Sequence, residues 1–358
     1  MTFWNKQPLN ISMQDNICVI NKNIDHEDIN LNNNNLPNGF SLKTLNCQHL
    51  DEIHDLLSKH YVQDQDNIIR LLYSKDFLYW YLKYIPHGFI IGLTHNCKII
   101  GLITALFVDM IICGEKIKMP YINFLCIQSK IRYHGMAIFL MNEMKKRLLK
   151  INIMYSLFTT AKNISFNFSS IQEFAIPINY LKLKQVDFLV DDIPSLPIID
   201  NNPLHLLKQS DMNIVVNKLN KFMDRLQFKP FFNQESGNHF LLPKKNIVYT
   251  FVKYNDKNEV TDMISVYKNF FYCLEKNKII SVAHLSFYFF ETLSITELVF
   301  MLLDKLSKYG FDQLIFRDHL FNSDINITKF STDSKLKYYL YNVSIKQIIP
   351  SDMCFFPF

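Results

Sequence analysis

The chain has 358 residues, 49% of them apolar, 14% aromatic and 20% charged. That is enough apolar material for two cores, since a domain usually takes about 100–200 residues, and it excludes a chain disordered along its length. A net charge of +5, dispersed along the sequence, does not argue for nucleic acid, although it suits a polyanionic small ligand. Seven cysteines without a C-x-x-C pair suggest neither a disulfide framework nor a zinc site and fit a reducing compartment. The start of the chain has no basic segment followed by an apolar run, and no stretch holds about 18 uninterrupted apolar residues. A soluble, cytoplasmic protein without an integral membrane segment is expected.

Residues 15–38 are rich in Asn and Asp and read as an arm or loop. Leu50, Ile53, Leu56 and Leu57 recur at helical spacing over residues 50–60. Residues 77–84 predict a second helix, closed by Pro86 and Gly88. Residues 89–93, 99–107 and 121–127 are β-rich runs that predict a three-stranded meander turning first at His95-Asn96. A polar segment, residues 128–135, leads into a helix with Ala137, Leu140, Met141, Met144 and Leu148 on one face. The second half repeats the theme, with runs at 247–253, 260–267 and 280–289, a turn at 255–258 and a helix over 294–309. The acidic, proline-containing stretch 191–203 reads as the join.

The chemistry lies between the third run and its helix. Arg132-Tyr133-His134-Gly135-Met136-Ala137 fits the R/Q-x-x-G-x-G/A pattern of acyl-CoA-dependent N-acyltransferases of the GNAT type. Unpaired N–H groups at a helix start attract an anion such as a pyrophosphate, and glycine lets the backbone approach it. Lys130 and Arg132 add charge. On the pattern alone, an ordinary glycine-containing loop with two surface cations is an equal reading.

The preceding Ile122-Asn123-Phe124-Leu125-Cys126-Ile127 resembles the N-F-L-C-V-H-K-K-L-R signature of N-myristoyltransferases. Further segments are similar in family order: Phe3-Trp4-Asn5-Lys6-Gln7-Pro8; Tyr61-Val62-Gln63-Asp64-Gln65-Asp66-Asn67 with Arg70, Tyr73 and Ser74; Glu259-Val260-Thr261-Asp262; Gly310-Phe311-Asp312; and Tyr338-Tyr339-Leu340-Tyr341-Asn342. The resemblance implies an α+β fold of two fused GNAT-like halves with pseudo-twofold symmetry, each a mixed β-sheet flanked by helices. Residues 1–195 would bind acyl-CoA, and residues 204–358 would bind peptide and supply the C-terminal carboxylate. It implies myristoyl-CoA as co-substrate, no tightly bound cofactor or metal, and peptides or proteins with an N-terminal glycine as acceptors. Residue 2 of this chain is Thr2, so it carries no such glycine itself.

The implied mechanism uses backbone N–H groups of Phe124 and Leu125 as the oxyanion hole. The carboxylate of Phe358 would collect the amine proton, in register because 16 residues follow Tyr341-Asn342. Asn123 and Thr159 would hold the glycine. The resemblance assigns Phe3, Trp4, Phe124, Leu125, Ile127, Lys130, Arg132, Tyr133, His134, Gly135, Met136 and Ala137 to acyl-CoA. It assigns Val62, Asp64, Asp66, Tyr73, Asn179, Leu285 and Asp333 to the peptide. Departures concentrate in the peptide pocket. Glu173 and Ala175 stand where the family has Tyr and His, Leu285 replaces a third tyrosine, and Gln63 and Gln65 remove two acidic charges. The family's glycine-rich G-x-G-D-G is shortened to Ser331-Thr332-Asp333-Ser334. A catalytically degenerate acyl-CoA- or peptide-binding relative and another GNAT-type N-acyltransferase are the alternatives.

Overall fold

The computed structural model describes residues 7–11, 18–19, 36–62, 69–132, 134–164, 166–188 and 199–356, with backbone only at residues 10, 11, 18, 19 and 332–334. Most of the arm at 15–38, and residues 191–198 of the join, lie outside the described residues. In chain order the longer elements are β1 (Phe40–Thr44), α1 (Leu50–His60), β2 (Ile69–Leu72), α2 (Lys75–Tyr84), β3 (Ile90–His95), β4 (Lys98–Ile112), β5 (Glu115–Ile127), α3 (Met136–Leu149), β6 (Ser156–Thr160) and β7 (Ser169–Pro177). They continue with α4 (Tyr180–Gln185), α5 (Met212–Met223), α6 (Gln234–Phe240), β8 (Val248–Tyr254), β9 (Val260–Cys273), β10 (Lys278–Phe289), α7 (Ile295–Lys308), β11 (Gln313–Arg317) and β12 (Phe330–Tyr341).

Two of the expected helices begin at a side-chain cap. Ser74 accepts a hydrogen bond from the Phe77 N–H and starts α2 two residues earlier than the apolar pattern suggests. Ser294 and Glu297 form a capping box at α7, and Gly310, at φ 73°, follows its end. The meander is present but longer than expected. β4 and β5 run on to a tight turn at Cys113-Gly114, both at positive φ (49° and 86°), as a two-residue hairpin turn requires. Pro120, whose missing N–H a strand paired on both sides would not tolerate, lies within β5. It is tolerated because β5 pairs with β4 along its length but with β6 only at Tyr121 and Ile122.

The chain forms two compact units. The first comprises residues 1–63, 73–170 and 337–348, the second residues 64–72, 171–336 and 349–358. In the first unit the sheet order is β1-β3-β4-β5-β6 followed by residues 337–341 of β12. All neighbours are antiparallel except β5 and β6. α3 packs on β3, β4 and β5, and α1 on β4 and β5. In the second unit the order is residues 205–206, β8, β9, β10, β11 and β7, antiparallel except for β10 and β11. There α5 packs on β9 and β10, and α7 on β9. Each unit is therefore a mixed sheet flanked by helices. In each, a helix links the two parallel strands, α3 between β5 and β6 and α7 between β10 and β11.

The likeness of the halves extends to single residues. In the first unit Thr104 faces Asn123 and Leu102 faces Cys126, so Phe124 and Leu125 together oppose Ile103. In the second, Val266 faces Leu285 and Ile264 faces Tyr288, so Ser286 and Phe287 together oppose Ser265. Both are β-bulges of one extra residue. The parallel registers agree, Tyr121 with Leu157 in one and Ala283 with Leu314 in the other. Asn123 thus corresponds to Leu285, Phe124 to Ser286 and Ile100 to Asp262.

That last exchange fixes a difference between the halves. The buried Asp262 carboxylate accepts hydrogen bonds from the N–H groups of Glu291, Thr292 and Leu293, at 3.0, 3.1 and 3.1 Å, and from the Thr292 hydroxyl. Burial raises its pKa, but hydrogen bonds from Thr292, Thr261 and the backbone more than offset this and hold it below the usual carboxylate value. Asp262→Ala leaves three donors unpaired in the segment before α7, at about 1–3 kcal/mol each. We expect a loss of about 3 kcal/mol or more in a denaturant titration. Because the folded pKa is depressed, the contribution of Asp262 is complete above the ordinary carboxylate pKa and is lost as the pH falls below it.

Candidate active site

The first unit carries the strand-to-helix segment singled out by the sequence. Phe124 sits at φ 51°, in the left-handed region, which costs a side-chain-bearing residue roughly 1–2 kcal/mol. Three tyrosine rings hold it there: Tyr81 at 5.0 Å, Tyr73 at 5.1 Å and Tyr61 at 5.5 Å between centroids, all edge to face. Such contacts contribute about 0.5–1.5 kcal/mol each, so the cage outweighs the strain. Phe124 is fully buried, whereas Leu125 is 36% exposed. Beyond Ile122 the described pairing of β5 with β6 stops, which is where the extra residue takes β5 out of step.

Asn123 organises the polar side of the bulge. Its Oδ1 accepts from the Phe124 N–H at 2.8 Å and from the Tyr61 hydroxyl at 3.2 Å, and its Nδ2 donates to the Tyr81 hydroxyl at 3.4 Å. The Thr104 hydroxyl donates to the Asn123 carbonyl at 3.1 Å. Tyr121 and Thr159 share a hydrogen bond of 3.1 Å, and the parallel register puts Thr159 level with Asn123. Burial raises the pKa of Tyr61 and Tyr81 well above the phenol value, so both stay neutral, Tyr61 donating to Asn123 and Tyr81 accepting from it. Burial also pushes the Cys126 thiol up to about 12, against a lowering by Arg132, so it is a poor nucleophile near neutrality.

After β5 the chain makes a short 3-10 turn, Ser129–Ile131. Arg132 is tied back to the main chain, its Nε donating to the Ile127 carbonyl at 3.0 Å and its terminal nitrogen to the His60 carbonyl. Lys130 and His134 are exposed, and the His134 ring bonds to the Arg132 carbonyl at 2.9 Å. Gly135, at φ 76°, opens α3, and no side chain caps the helix. Met136 is buried and Ala137 half-buried. Where the second unit brings up the Asp262 carboxylate, this unit has the apolar Ile100. Its loop and helix start keep N–H donors and cations available to an outside anion.

The sequence-derived site residues divide as follows. Asn123, Phe124 and Leu125 lie together on β5, with Thr159 beside them on β6 and Ile127, Lys130, Arg132, His134, Gly135, Met136 and Ala137 following in the loop and helix. Tyr73 is part of the cage, and Val62 is 54% exposed. In the second unit Leu285 is fully buried. Asn179 caps α4, accepting from the Lys182 N–H and donating to Asp312 at 3.1 Å. Phe3, Trp4, Asp64, Asp66, Tyr133 and Phe358, with the side chain of Asp333, lie outside the described residues. Sequence reading missed Tyr61 and Tyr81 as supports of Phe124. The spacing of Tyr73, Phe77 and Tyr81 by four residues could have found one stripe of the cage. Among the described residues no group of three His, Cys, Asp or Glu could hold a metal ion.

Two variants separate strain from packing. Phe124→Gly relieves about 1–2 kcal/mol of backbone strain but removes a ring whose loss costs about 3–5 kcal/mol, so Tm should fall. Gly135→Ala meets nothing within 4 Å and bears only the left-handed penalty, again about 1–2 kcal/mol. Thermal melts of both read the difference.

The family profile described as "Myristoyl-CoA:protein N-myristoyltransferase, N-terminal domain" matches residues 19–171, and the C-terminal domain of the same name matches residues 187–353. A protein of Acanthamoeba polyphaga mimivirus, whose name places it among glycylpeptide N-tetradecanoyltransferases, is 54% identical over 323 residues, 89% of this chain and 90% of that protein. Glycylpeptide N-tetradecanoyltransferase 2 of Danio rerio is 29% identical over 95% of this chain and 74% of its own. The Saccharomyces cerevisiae N-myristoyltransferase solved with bound myristoyl-CoA has a TM-score of 0.86 at 23% identity, over 97% of this chain and 93% of that one. A GCN5-related N-acetyltransferase from Anabaena variabilis has a TM-score of 0.50 at 13% identity, over 84% of this chain and 72% of its own. Both structures speak for the fold, and with the profiles and the mimiviral relative they lead to one assignment: the chain belongs to the N-myristoyltransferase family.

Proposed function

We propose that the chain is an acyltransferase that moves myristate from myristoyl-CoA to the N-terminal glycine amine of a peptide or protein. The observation that carries this reading is the strained bulge at Phe124-Leu125, followed by an uncapped helix start at Gly135, in a chain of this family. The start of α3, with Lys130, Arg132 and His134, receives the pyrophosphate of the cofactor. The thioester carbonyl lies at the bulge, and the acceptor amine is held by Asn123 and Thr159. Residues 1–195 serve the acyl-CoA and residues 204–358 the peptide, with Val62, Asp64, Asp66, Tyr73, Asn179, Leu285 and Asp333 as its contacts. Free cysteines at 47, 97, 113, 126, 273 and 354 suit a cytoplasmic enzyme. Among the described residues no helix is long and apolar enough to cross a membrane.

A glycine ammonium has a pKa of about 7.7–8.0 and must lose a proton before it attacks. The Phe358 carboxylate takes that proton. The amine nitrogen then bonds to the thioester carbon, and the carbonyl oxygen becomes an oxyanion bound by the N–H groups of Phe124 and Leu125. Collapse breaks the carbon–sulfur bond; of the two protons the nitrogen sheds in becoming an amide, one leaves with coenzyme A as its thiol and the other passes to solvent. Because Asn123 Oδ1 holds the Phe124 N–H at 2.8 Å, the oxyanion competes with that amide oxygen for the donor.

Intact-mass spectrometry of a glycine-initiated octapeptide, incubated with the protein and myristoyl-CoA, tests the reading. A gain of one myristoyl group, absent when the glycine is N-acetylated, is the expected result. No gain across a varied peptide set, with acyl-CoA still bound, identifies a binder without turnover. Deleting Phe358, or adding one residue after it, should lower turnover about 100-fold or more, the usual worth of a general base, with acyl-CoA affinity nearly unchanged. Gly135→Ala should do the opposite, weakening acyl-CoA binding more than the chemical step.

A further inference from the structure

An amide oxygen has two lone pairs, and both of those on Asn123 Oδ1 are taken, by the Phe124 N–H at 2.8 Å and by the Tyr61 hydroxyl at 3.2 Å. The backbone donor fixes which end of the side-chain amide is oxygen, since an NH2 group cannot accept from it. The rest of the residue is held as well. The Thr104 hydroxyl ties down its main-chain carbonyl at 3.1 Å, Nδ2 reaches the Tyr81 hydroxyl at 3.4 Å, and the residue is 9% exposed. All of these groups lie in the first unit. At the matching place in the second unit stands Leu285, whose side chain is similar in size and carries no acceptor.

The reaction proposed above asks two things of this one oxygen atom. The oxyanion needs the Phe124 N–H, which Oδ1 occupies, and the acceptor amine needs Oδ1, whose lone pairs are full. One donor must leave when the amine arrives. The Tyr61 hydroxyl gains no new acceptor from the reaction, so releasing it would strand a polar group. The Phe124 N–H finds one in the thioester oxygen. The amine therefore displaces the backbone donor and keeps Tyr61 in place.

We propose that Asn123 is a gate on the oxyanion hole: without an acceptor its amide oxygen holds the Phe124 N–H, the arriving amine opens the hole by taking that oxygen, and Tyr61 positions it for both tasks. This rests on the reading of the Phe124 N–H as an oxyanion donor and of Asn123 as a holder of the amine. Its consequence is protection of the thioester. Attack of water on the acyl carbon breaks the carbon–sulfur bond and gives myristate, the coenzyme A thiol and a proton. That reaction passes through the same kind of oxyanion and meets a donor that is already engaged.

The test measures, by chromatography, myristate released from myristoyl-CoA without peptide, beside transfer to a glycine-initiated octapeptide. It compares the parent chain with Asn123→Leu, Asn123→Asp and Tyr61→Phe, reading acyl-CoA affinity and Tm as controls. Asn123→Leu keeps the volume, makes no room for water and frees the donor. Peptide-free hydrolysis should rise about tenfold or more, an oxyanion donor being worth roughly 100-fold or more, while transfer falls and acyl-CoA affinity stays within about twofold. Tyr61→Phe keeps the ring against Phe124 and loses the hydroxyl that steadies Oδ1, so hydrolysis should rise about threefold. Asn123→Asp still accepts from the Phe124 N–H and should hydrolyse no faster than the parent. If Asn123→Leu does not fold, Tyr61→Phe decides alone. Hydrolysis no faster than the parent's in the folded Asn123→Leu or Tyr61→Phe variant, or equally fast in Asn123→Asp and Asn123→Leu, overturns the gate. Parent transfer is read in the same series: its absence overturns the transfer reading, whereas transfer with unchanged hydrolysis in the variants overturns the gate alone.

Discussion

A strand that pairs antiparallel on one side and parallel on the other stays in step with both only while no residue is inserted, and in β5 the insertion falls at Phe124. Everything that distinguishes the site follows from that offset. It takes Phe124 and Leu125 out of one-to-one pairing and ends the described contact with β6. It also turns the backbone toward the loop that starts α3. A glycine would adopt the required φ without strain, but a glycine has no ring with which to anchor the segment. The phenylalanine accepts the strain, and the rings of Tyr61, Tyr73 and Tyr81 fix it in a fully buried position. Backbone donors aimed at a developing charge are useful only if they do not move as it develops, so the role proposed for this segment is better served by a rigid but strained bulge than by a relaxed one.

The second unit closes the same scaffold from within. Its bulge at Ser286-Phe287 falls at the same place in the register, without a left-handed residue. Its central residue before the bulge is the apolar Leu285 rather than Asn123. Its helix start is closed from within by Ser294 and Glu297, and the preceding N–H groups are claimed by Asp262. An internal carboxylate and an external pyrophosphate satisfy the same kind of donor, and one excludes the other. The exchange of Asp262 for Ile100 between the halves leaves the start of α3 without an internal carboxylate, as the acyl-CoA site proposed there requires, while the donors before α7 are claimed from within.

Much of this was legible in the sequence for physical reasons. Periodicity and caps located α1, α2, α3 and α7, and the Arg132–Ala137 motif marked the strand-to-helix turn because glycine and a following amphipathic pattern are local signals. The β4–β5 hairpin was cut short because Cys113-Gly114 is a weak turn signal and Pro120 argues against a strand, although it sits where only one neighbour needs pairing. The bulge was inaccessible because a positive φ cannot be read from a phenylalanine, and one inserted residue leaves the apolar pattern almost intact. Family likeness assigned Asn179 to the peptide and marked Asp262 without a role. The tie of Asn179 to Asp312 and the filling of the donors before α7 by Asp262 depend on partners over 100 and about 30 residues away. Arg317 carried no local signal at all, because its meaning lies in the residue opposite it.

That last case bears on how departures from a family should be weighed. Taken singly, an ionisable group in place of a pocket tyrosine suggests a damaged site, since a buried charge without a partner is costly. Taken in register, Glu173 faces Arg317 at ion-pair distance, and the cation has a second task over the ring of Phe356. An unpaired carboxylate there would have been counted against the fold, and an unpaired guanidinium likewise. The two together are compatible with it, and removing either one alone leaves the other charge unpaired. A charge pair thus stands where Glu173 alone would have signalled a damaged position.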